Sequence, residues 1–397
     1  MKDFNDELRC RLDQIRDQGL YRELRQVDSP QSPRIELNGK PFLNFSSNDY
    51  LGLANHPDLK AAAIKAIEKF GAGSGASRLI CGSLTPHFEL EAALAAFKGT
   101  ESALSFSSGY AAAVGTICAL LGKDDVIILD KLVHACIVDA ARLCGAKLRV
   151  FAHNDLNELE EILRWANERI SVVSGTQRPR TLVVTESVFS MDGDLAPLRE
   201  IVELKERYGA WLMVDEAHAT GLFGPNRRGL AEEAMVSDRI EIQMGTLGKA
   251  LGASGGYICG SKVLIDYLVN RARSFIFSTA PVPAASAAAT AGIQLVQSSE
   301  GAERSARLRQ LLGRLMEGLN KAGWNFEALS SSIVPLIFGE EVKAVSLATK
   351  LREQGLFVPA IRYPTVARGS ARLRVTLTAG HTTEDIAQLL KALAFSI

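Results

Sequence analysis

The chain has 397 residues, 47% hydrophobic and 23% charged, the composition of a folded globular enzyme with room for about two to three domains. Its 45 Lys and Arg balance 45 Asp and Glu, so nothing in the charge marks nucleic acid or an anionic membrane as a partner. Six cysteines without a C-x-x-C pair exclude a disulfide framework and a zinc ribbon, give no metal to expect, and suit a reducing cytoplasm.

Residues 1–45 read as an N-terminal arm. Leu8, Leu12 and Ile15 recur at helical spacing, the segment is too polar for a secretory leader, and a Pro/Ser-rich turn follows at Ser29–Pro33. Residues 46–290 read as one large α/β domain. Short apolar runs (Ala103–Phe106, Val126–Leu129, Leu148–Phe151, Leu182–Thr185, Trp211–Val214, Ile240–Met244 and Gly256–Cys259) alternate there with amphipathic segments such as Phe88–Phe97, Leu156–Trp165 and Leu198–Tyr208. Strands apolar throughout and separated by helices predict a buried parallel sheet covered on both faces. The low-charge stretches Ser102–Gly122 and Ser278–Gln297 contain Ser, Gly or Pro and suit buried helices better than membrane spans. Residues 291–397 read as a smaller α+β domain, with helices at Arg304–Leu319 and Val342–Gln354, runs at Ile333–Phe338 and Leu373–Leu377, and a last helix from Thr383.

Two motifs mislead. Asp215-Glu216-Ala217-His218 resembles a helicase Mg²⁺ motif, but no G-x-x-x-x-G-K-[ST] loop precedes it. Gly71-Ala72-Gly73-Ser74-Gly75 lacks dinucleotide spacing, and it reads either as a loop approached by a ligand or as a structural turn. A different constellation remains. The run Trp211–Val214 ends in Asp215, and Lys249 lies downstream between Gly245, Gly248 and Gly252. An acid at a strand's C-terminal end faces the crevice where α/β sheets bind ligands, and an amine with a carboxylate is what pyridoxal phosphate requires: a Schiff-base lysine and a partner for its ring nitrogen. A surface lysine after a turn is the competing reading. Ser107-Ser108-Gly109-Tyr110 opens a helix after a strand, a setting for phosphate, although an ordinary N-cap has the same sequence. His134 begins another helix, where its ring is placed to stack on a flat cofactor or to serve the fold.

Asn44–Leu53 (NFSSNDYLGL), Thr185–Asp194 (TESVFSMDGD), Val214–Gly221 (VDEAHATG) and the Lys249 loop together resemble the α-oxoamine synthases over about residues 20 to 395. The resemblance implies a fold-type I pyridoxal-phosphate transferase, like aspartate aminotransferase, with a large mostly parallel-sheet domain and a smaller α+β C-terminal domain. It implies that Lys249 forms the Schiff base and Asp215 pairs with the pyridine nitrogen. His218 and Ser190 then contact the phenolic oxygen, and His134 stacks on the ring and polarises the thioester. Ser108, Gly109, Tyr110 and Thr246 hold the phosphate, with Ser278 and Thr279 reaching across from a second subunit of a homodimer. Arg374 binds the amino-acid carboxylate beside Asn48, while Arg22, Arg362 and Thr365 fall where the family binds the acyl chain. Ala360–Val366 and Ala371–Thr378 are most similar to the biotin-pathway branch, which joins L-alanine to a pimeloyl thioester on CoA or an acyl carrier protein. Tyr363 stands where that branch usually has proline, and Ala113 replaces a common asparagine. A glycine C-acetyltransferase shares the catalytic motifs. A non-catalytic binding subunit is the other alternative, and joint retention of Lys249, Asp215, His134 and His218 argues against it.

Overall fold

Strands apolar at every position need cover on both faces, and the runs between residues 102 and 260 receive it except at the sheet edge, 147–151. A computed structural model describes residues 3–172, 179–324 and 331–396. Arg34–Leu37 (β1) and Lys40–Asn44 (β2) form a hairpin. The central sheet follows: Ser102–Phe106 (β3), Val126–Asp130 (β4), Lys147–Phe151 (β5), Thr181–Glu186 (β6), Trp211–Asp215 (β7), Ile242–Thr246 (β8) and Gly256–Gly260 (β9), in the order β3-β9-β8-β7-β6-β4-β5. Alternate residues go to opposite faces. Ile127 and Leu129 pack with Leu182, Val184, Met213 and Ile258, while Val126 and Ile128 join Val183, Leu212 and Val214 on the other side. Each such side chain contributes about 1.5–3 kcal/mol by leaving water.

β4 to β8 are parallel, but β9 runs antiparallel to both its neighbours. The apolar pattern carries no direction. The loop from β8 to β9 is shorter than the roughly a dozen residues a parallel crossover needs, and this decides it. β5 is an edge strand with Arg149 and Val150 exposed. The stretch 102–122 divides into β3 and the helix Gly109–Leu120 rather than forming one helix. Of 278–297, Pro283–Gln297 is helical.

Ile333–Gly339 (β10), Ala371–Thr376 (β13) and Ala360–Ile361 (β12) make an antiparallel sheet in the order β10-β13-β12, and Leu356–Phe357 (β11) adds in parallel to β2. Helices Ser299–Lys321, Glu341–Glu353 and Thr383–Ser396 send Leu311, Leu315, Leu347, Leu351, Ile386 and Leu389 into the core they share with one face of the central sheet. The arm is helical over Phe4–Asp17, yet none of that helix is buried. Among the described residues, no helix is long and apolar enough to cross a membrane.

Glu216 follows β7 and is wholly buried. Its carboxylate is held by the Lys98 ammonium and the Ala231 N–H at 2.9 Å, and Lys98 also donates to the Arg228 carbonyl at 2.5 Å. That pairing gives Glu216 a structural place and explains why the DEAH string need not hold a metal. A buried pair left with one member costs about 3–5 kcal/mol. Lys98→Met should therefore lower the urea unfolding midpoint by a shift worth that much, and adding Glu216→Gln should restore most of it.

Candidate active site

Three neighbouring strands end in carboxylates at one edge of the sheet: Asp130 on β4, Glu186 on β6 and Asp215 on β7. Glu186 and Asp215 are in register across the parallel pair, so both side chains leave the same face. Asp215 Oδ1 accepts the Ala217 N–H at 2.9 Å, and burial pushes its carboxyl up while Lys249 and His134 pull it down. Glu186 Oε2 accepts the Ser190 N–H at 3.2 Å.

Lys249 follows β8 and brings Nζ to 2.6 Å from His218 Nε2. Desolvation brings the amine down to about 8, with Asp215 and Glu186 opposing the shift. His218 is buried, and its Nδ1 lies 2.5 Å from the Tyr50 hydroxyl. Burial, then the Lys249 charge, hold the imidazole well below its usual value, so it is neutral and bridges phenol to amine. The glycines around Lys249 serve packing: a Cβ on Gly245 would stand 2.3 Å from the Tyr257 hydroxyl, and one on Gly252, at φ +67, 2.6 Å from Leu53.

The Gly109–Leu120 helix begins beside this cluster. Ser108 Oγ accepts the Ala111 N–H at 3.1 Å and its carbonyl accepts Ala112 at 3.0 Å, leaving the first N–H groups, at Gly109 and Tyr110, to an outside acceptor. Gly109 faces Thr246, whose side chain lies 3.8 Å from where a Gly109 Cβ would be. Gly256 permits the approach, since a Cβ there would meet the Ser108 carbonyl at 2.5 Å. Such an arrangement could hold a phosphate. His134 caps the helix Ala135–Leu143, its Nδ1 accepting from Cys136 N at 3.2 Å, and its ring is exposed.

Arg374 on β13 is buried. It donates through Nε to the Ser190 carbonyl at 2.7 Å and through Nη1 to Asn48 Oδ1 at 3.1 Å and Thr376 Oγ1 at 3.0 Å. Arg22, Arg362 and Thr365 come together across more than three hundred residues. Arg22 reaches Thr365 Oγ1 at 3.5 Å, and Arg362 holds the Gly19 and Tyr21 carbonyls. With Arg25 and Arg352 they line a cavity of about 390 Å³ whose wall, Ala360–Ile361, pairs with Leu373 and Arg372 next to Arg374. Ser278 and Thr279 are elsewhere in this chain. Thr279 bridges to Ser77, Ala280 donates to Ala76, and Ser74 donates to the Pro281 carbonyl. The glycines of that loop, 71, 73 and 75, have open space at their Cβ positions within one chain, so no contact of this chain's own requires glycine there.

The sequence and the fold match known proteins. Residues 40–393 match the family described as aminotransferase class I and II. The chain belongs to that family. Within it, the chain is an α-oxoamine synthase. It is 49% identical to 8-amino-7-oxononanoate synthase of Geotalea daltonii, over 99% of this chain and 97% of that one, and 48% identical to the Geobacter sulfurreducens protein of the same name, over 96% of each. Among solved structures, a serine palmitoyltransferase from S. paucimobilis with bound PLP is 32% identical, covers 98% of this chain and 96% of its own, and superposes with a TM-score of 0.90. An 8-amino-7-oxononanoate synthase from Francisella tularensis is 28% identical with a TM-score of 0.75, over 89% of this chain and 97% of that one.

Sequence reasoning passed over Glu186 and Tyr50, although both stand inside the quoted motifs. The signal for Glu186 was the one used for Asp215, an acid closing an apolar strand. Tyr50 carried none, because its partner His218 is brought near only by the fold. The lowered Lys249 value has a direct consequence. In the cofactor-free protein, labelling of Lys249 by an amine-selective reagent should rise with pH to half its maximum near 8 and plateau above it, whereas an ordinary lysine reacts fully only near pH 11. Removing the Asp215 charge (Asp215→Asn) should move that midpoint lower still, because the carboxylate favours the ammonium form.

Proposed function

We propose that this synthase condenses L-alanine with a pimeloyl thioester, releasing CO₂ and the free thiol and leaving 8-amino-7-oxononanoate, with pyridoxal phosphate as cofactor. The near full-length identity to proteins of that name supports the substrate pair. Two separate arginine sites are the structural observation that carries it: one beside the reactive lysine for an amino-acid carboxylate, and one lining a cavity for a second, distal anion. An acetyl thioester has no such anion.

The residues present fit the cofactor. A desolvated amine, an acid at a strand end, and a helix N-terminus with unspent N–H groups answer its aldehyde, ring nitrogen and phosphate respectively. When bound, it supplies an electron sink for the pair left at the substrate's α-carbon. The chain's own groups then divide the work. Lys249 would hold the cofactor through its amine, and with that amine free it would take the proton from the alanine α-carbon. Its lowered pKa leaves about a tenth of it neutral at pH 7, against well under a thousandth for an ordinary lysine. Asp215 keeps a proton on the ring nitrogen. His218, neutral and held by Tyr50, hydrogen-bonds Lys249, and with Ser190 it would hold the cofactor's phenolic oxygen. Gly109, Tyr110, Ser108 and Thr246 take the phosphate. The exposed His134 would help hold the cofactor and would donate a hydrogen bond to the thioester oxygen as negative charge grows there. Arg374 orients the alanine carboxylate beside Asn48. The α-carbon bonds to the thioester carbonyl, the thiolate leaves, the carboxylate departs as CO₂, and a proton returns to the α-carbon.

The active unit is a homodimer in this reading. Leu79, Ile80, Phe88, Phe277 and Val282 are exposed apolar side chains near Ser278 and Thr279 in sequence or space, a surface suited to a second copy that would bring those hydroxyls to its neighbour's phosphate. A cytoplasmic location accords with free cysteines and small-molecule substrates.

Charge-assisted hydrogen bonds are worth about 1.5–3 kcal/mol, so Arg362→Gln should lower kcat/KM for the pimeloyl thioester by about 10- to 150-fold. The slow reaction with acetyl-CoA should stay within about twofold. Equal losses for both donors in steady-state assays would remove Arg362 from acyl recognition and reduce it to a tether for the arm at Gly19 and Tyr21.

A further inference from the structure

Glu186 is a buried carboxyl at the heart of the site to which the chemistry above gives no role. It lies at the end of β6, in register with Asp215 on β7, and is 2% exposed. Its Oε2 has the Ser190 N–H at 3.2 Å, but its Oε1 is buried with no hydrogen-bond partner among the described residues. An ionised carboxylate with a bare buried oxygen beside a second carboxylate is a costly arrangement, because desolvation and like-charge repulsion act together. One cation, Lys249, faces both acids, and a single charge cannot neutralise two. Asp215 is the better placed to stay ionised, with Lys249 and His134 both favouring its charge and the Ala217 N–H on Oδ1.

We propose that Glu186 is a positioning residue that carries the single proton of a two-carboxyl pair, so that Asp215 is the negative charge of that pair presented to the cofactor ring. The groups that face Glu186 are Asp215, Lys249, the backbone N–H groups of His134 and Ser190, Cys136 with its thiol pushed up to about 12, and the neutral phenol of Tyr50. Only Lys249 among them is a cation. Burial, followed by the Asp215 charge, raises the Glu186 carboxyl well above the ordinary range, in agreement with this placement. A neutral Glu186 keeps Lys249 easier to deprotonate than two adjacent carboxylates would allow. The proton is a property of the protein, while its use rests on the cofactor assignment above.

Infrared spectra of the full-length protein, with and without pyridoxal phosphate, test it. Wild type at pH 7 should show a protonated-carboxyl C=O band that shifts when glutamate side chains carry ¹³C and that is missing in Glu186→Gln. No glutamate-dependent band in labelled wild type overturns the proposal, whether or not the variant folds. In the loaded protein, the pH titration of the visible band should fall within about 0.3 unit of wild type in Glu186→Gln, because one neutral group replaces another. A downward shift of about one unit or more would mean that a real negative charge was removed, and the proposal fails. If the cofactor assignment itself is wrong, no visible band forms while the infrared band persists.

Discussion

Charge held out of water at the C-terminal edge of the central sheet is the constraint around which this molecule is arranged. Asp130, Glu186 and Asp215 close adjacent strands there, each nearly inaccessible, and an uncompensated buried ion costs several kcal/mol. The fold answers each one differently. Asp130 accepts the Leu132 and Asn154 N–H groups and the ring of His153, Asp215 takes a backbone N–H and faces Lys249, and Glu186 has only Ser190 and the His134 backbone. Reactivity at Lys249 follows from the same desolvation that makes these acids expensive.

The segment from Ser190 to Asp194 is where the two sheets are joined. Asp194 accepts from His153 Nε2 at 2.6 Å, and His153 is also held by Asp130. Burial opposes that charge, but the two carboxylates raise the imidazole to about 10, so the clamp is cationic at neutral pH. From the other side, Arg372 pairs with Asp192 and Arg374 donates to the Ser190 carbonyl. Gly193, at φ +74, lies so near β10 that a Cβ would stand 2.3 Å from the Ile333 carbonyl. The Arg374 guanidinium is thereby fixed relative to Asp215, although the two come from different sheets.

Much of this was written in the sequence. Strands without alternation gave away a sheet covered on both faces, and an acid ending one of them with a lysine beyond marked the chemistry. Strand direction was less visible. β9 looks like its neighbours in composition, and only the short Leu247–Gly255 connection tells that it turns back. The glycines beside Lys249 gave no sign of their packing role, which is to leave room for Tyr257 and Leu53. Lys98 gave no sign of being buried, because its partner Glu216 lies far along the chain. The spacing of Leu8, Leu12 and Ile15 foretold the arm's helix correctly, yet that helix buries nothing against its own chain.

The central claim is that buried lysine chemistry here ends in loss of the amino acid's own carboxylate after an acyl chain with a distal anion has been attached. Incubating the protein and pyridoxal phosphate with L-alanine labelled at its carboxyl carbon and a pimeloyl thioester tests it most directly, with released CO₂ and product both resolved by mass. The account predicts label in CO₂ only, one equivalent for each 8-amino-7-oxononanoate and each free thiol. Label retained in the condensed product, or turnover confined to glycine and an acetyl donor, would contradict it.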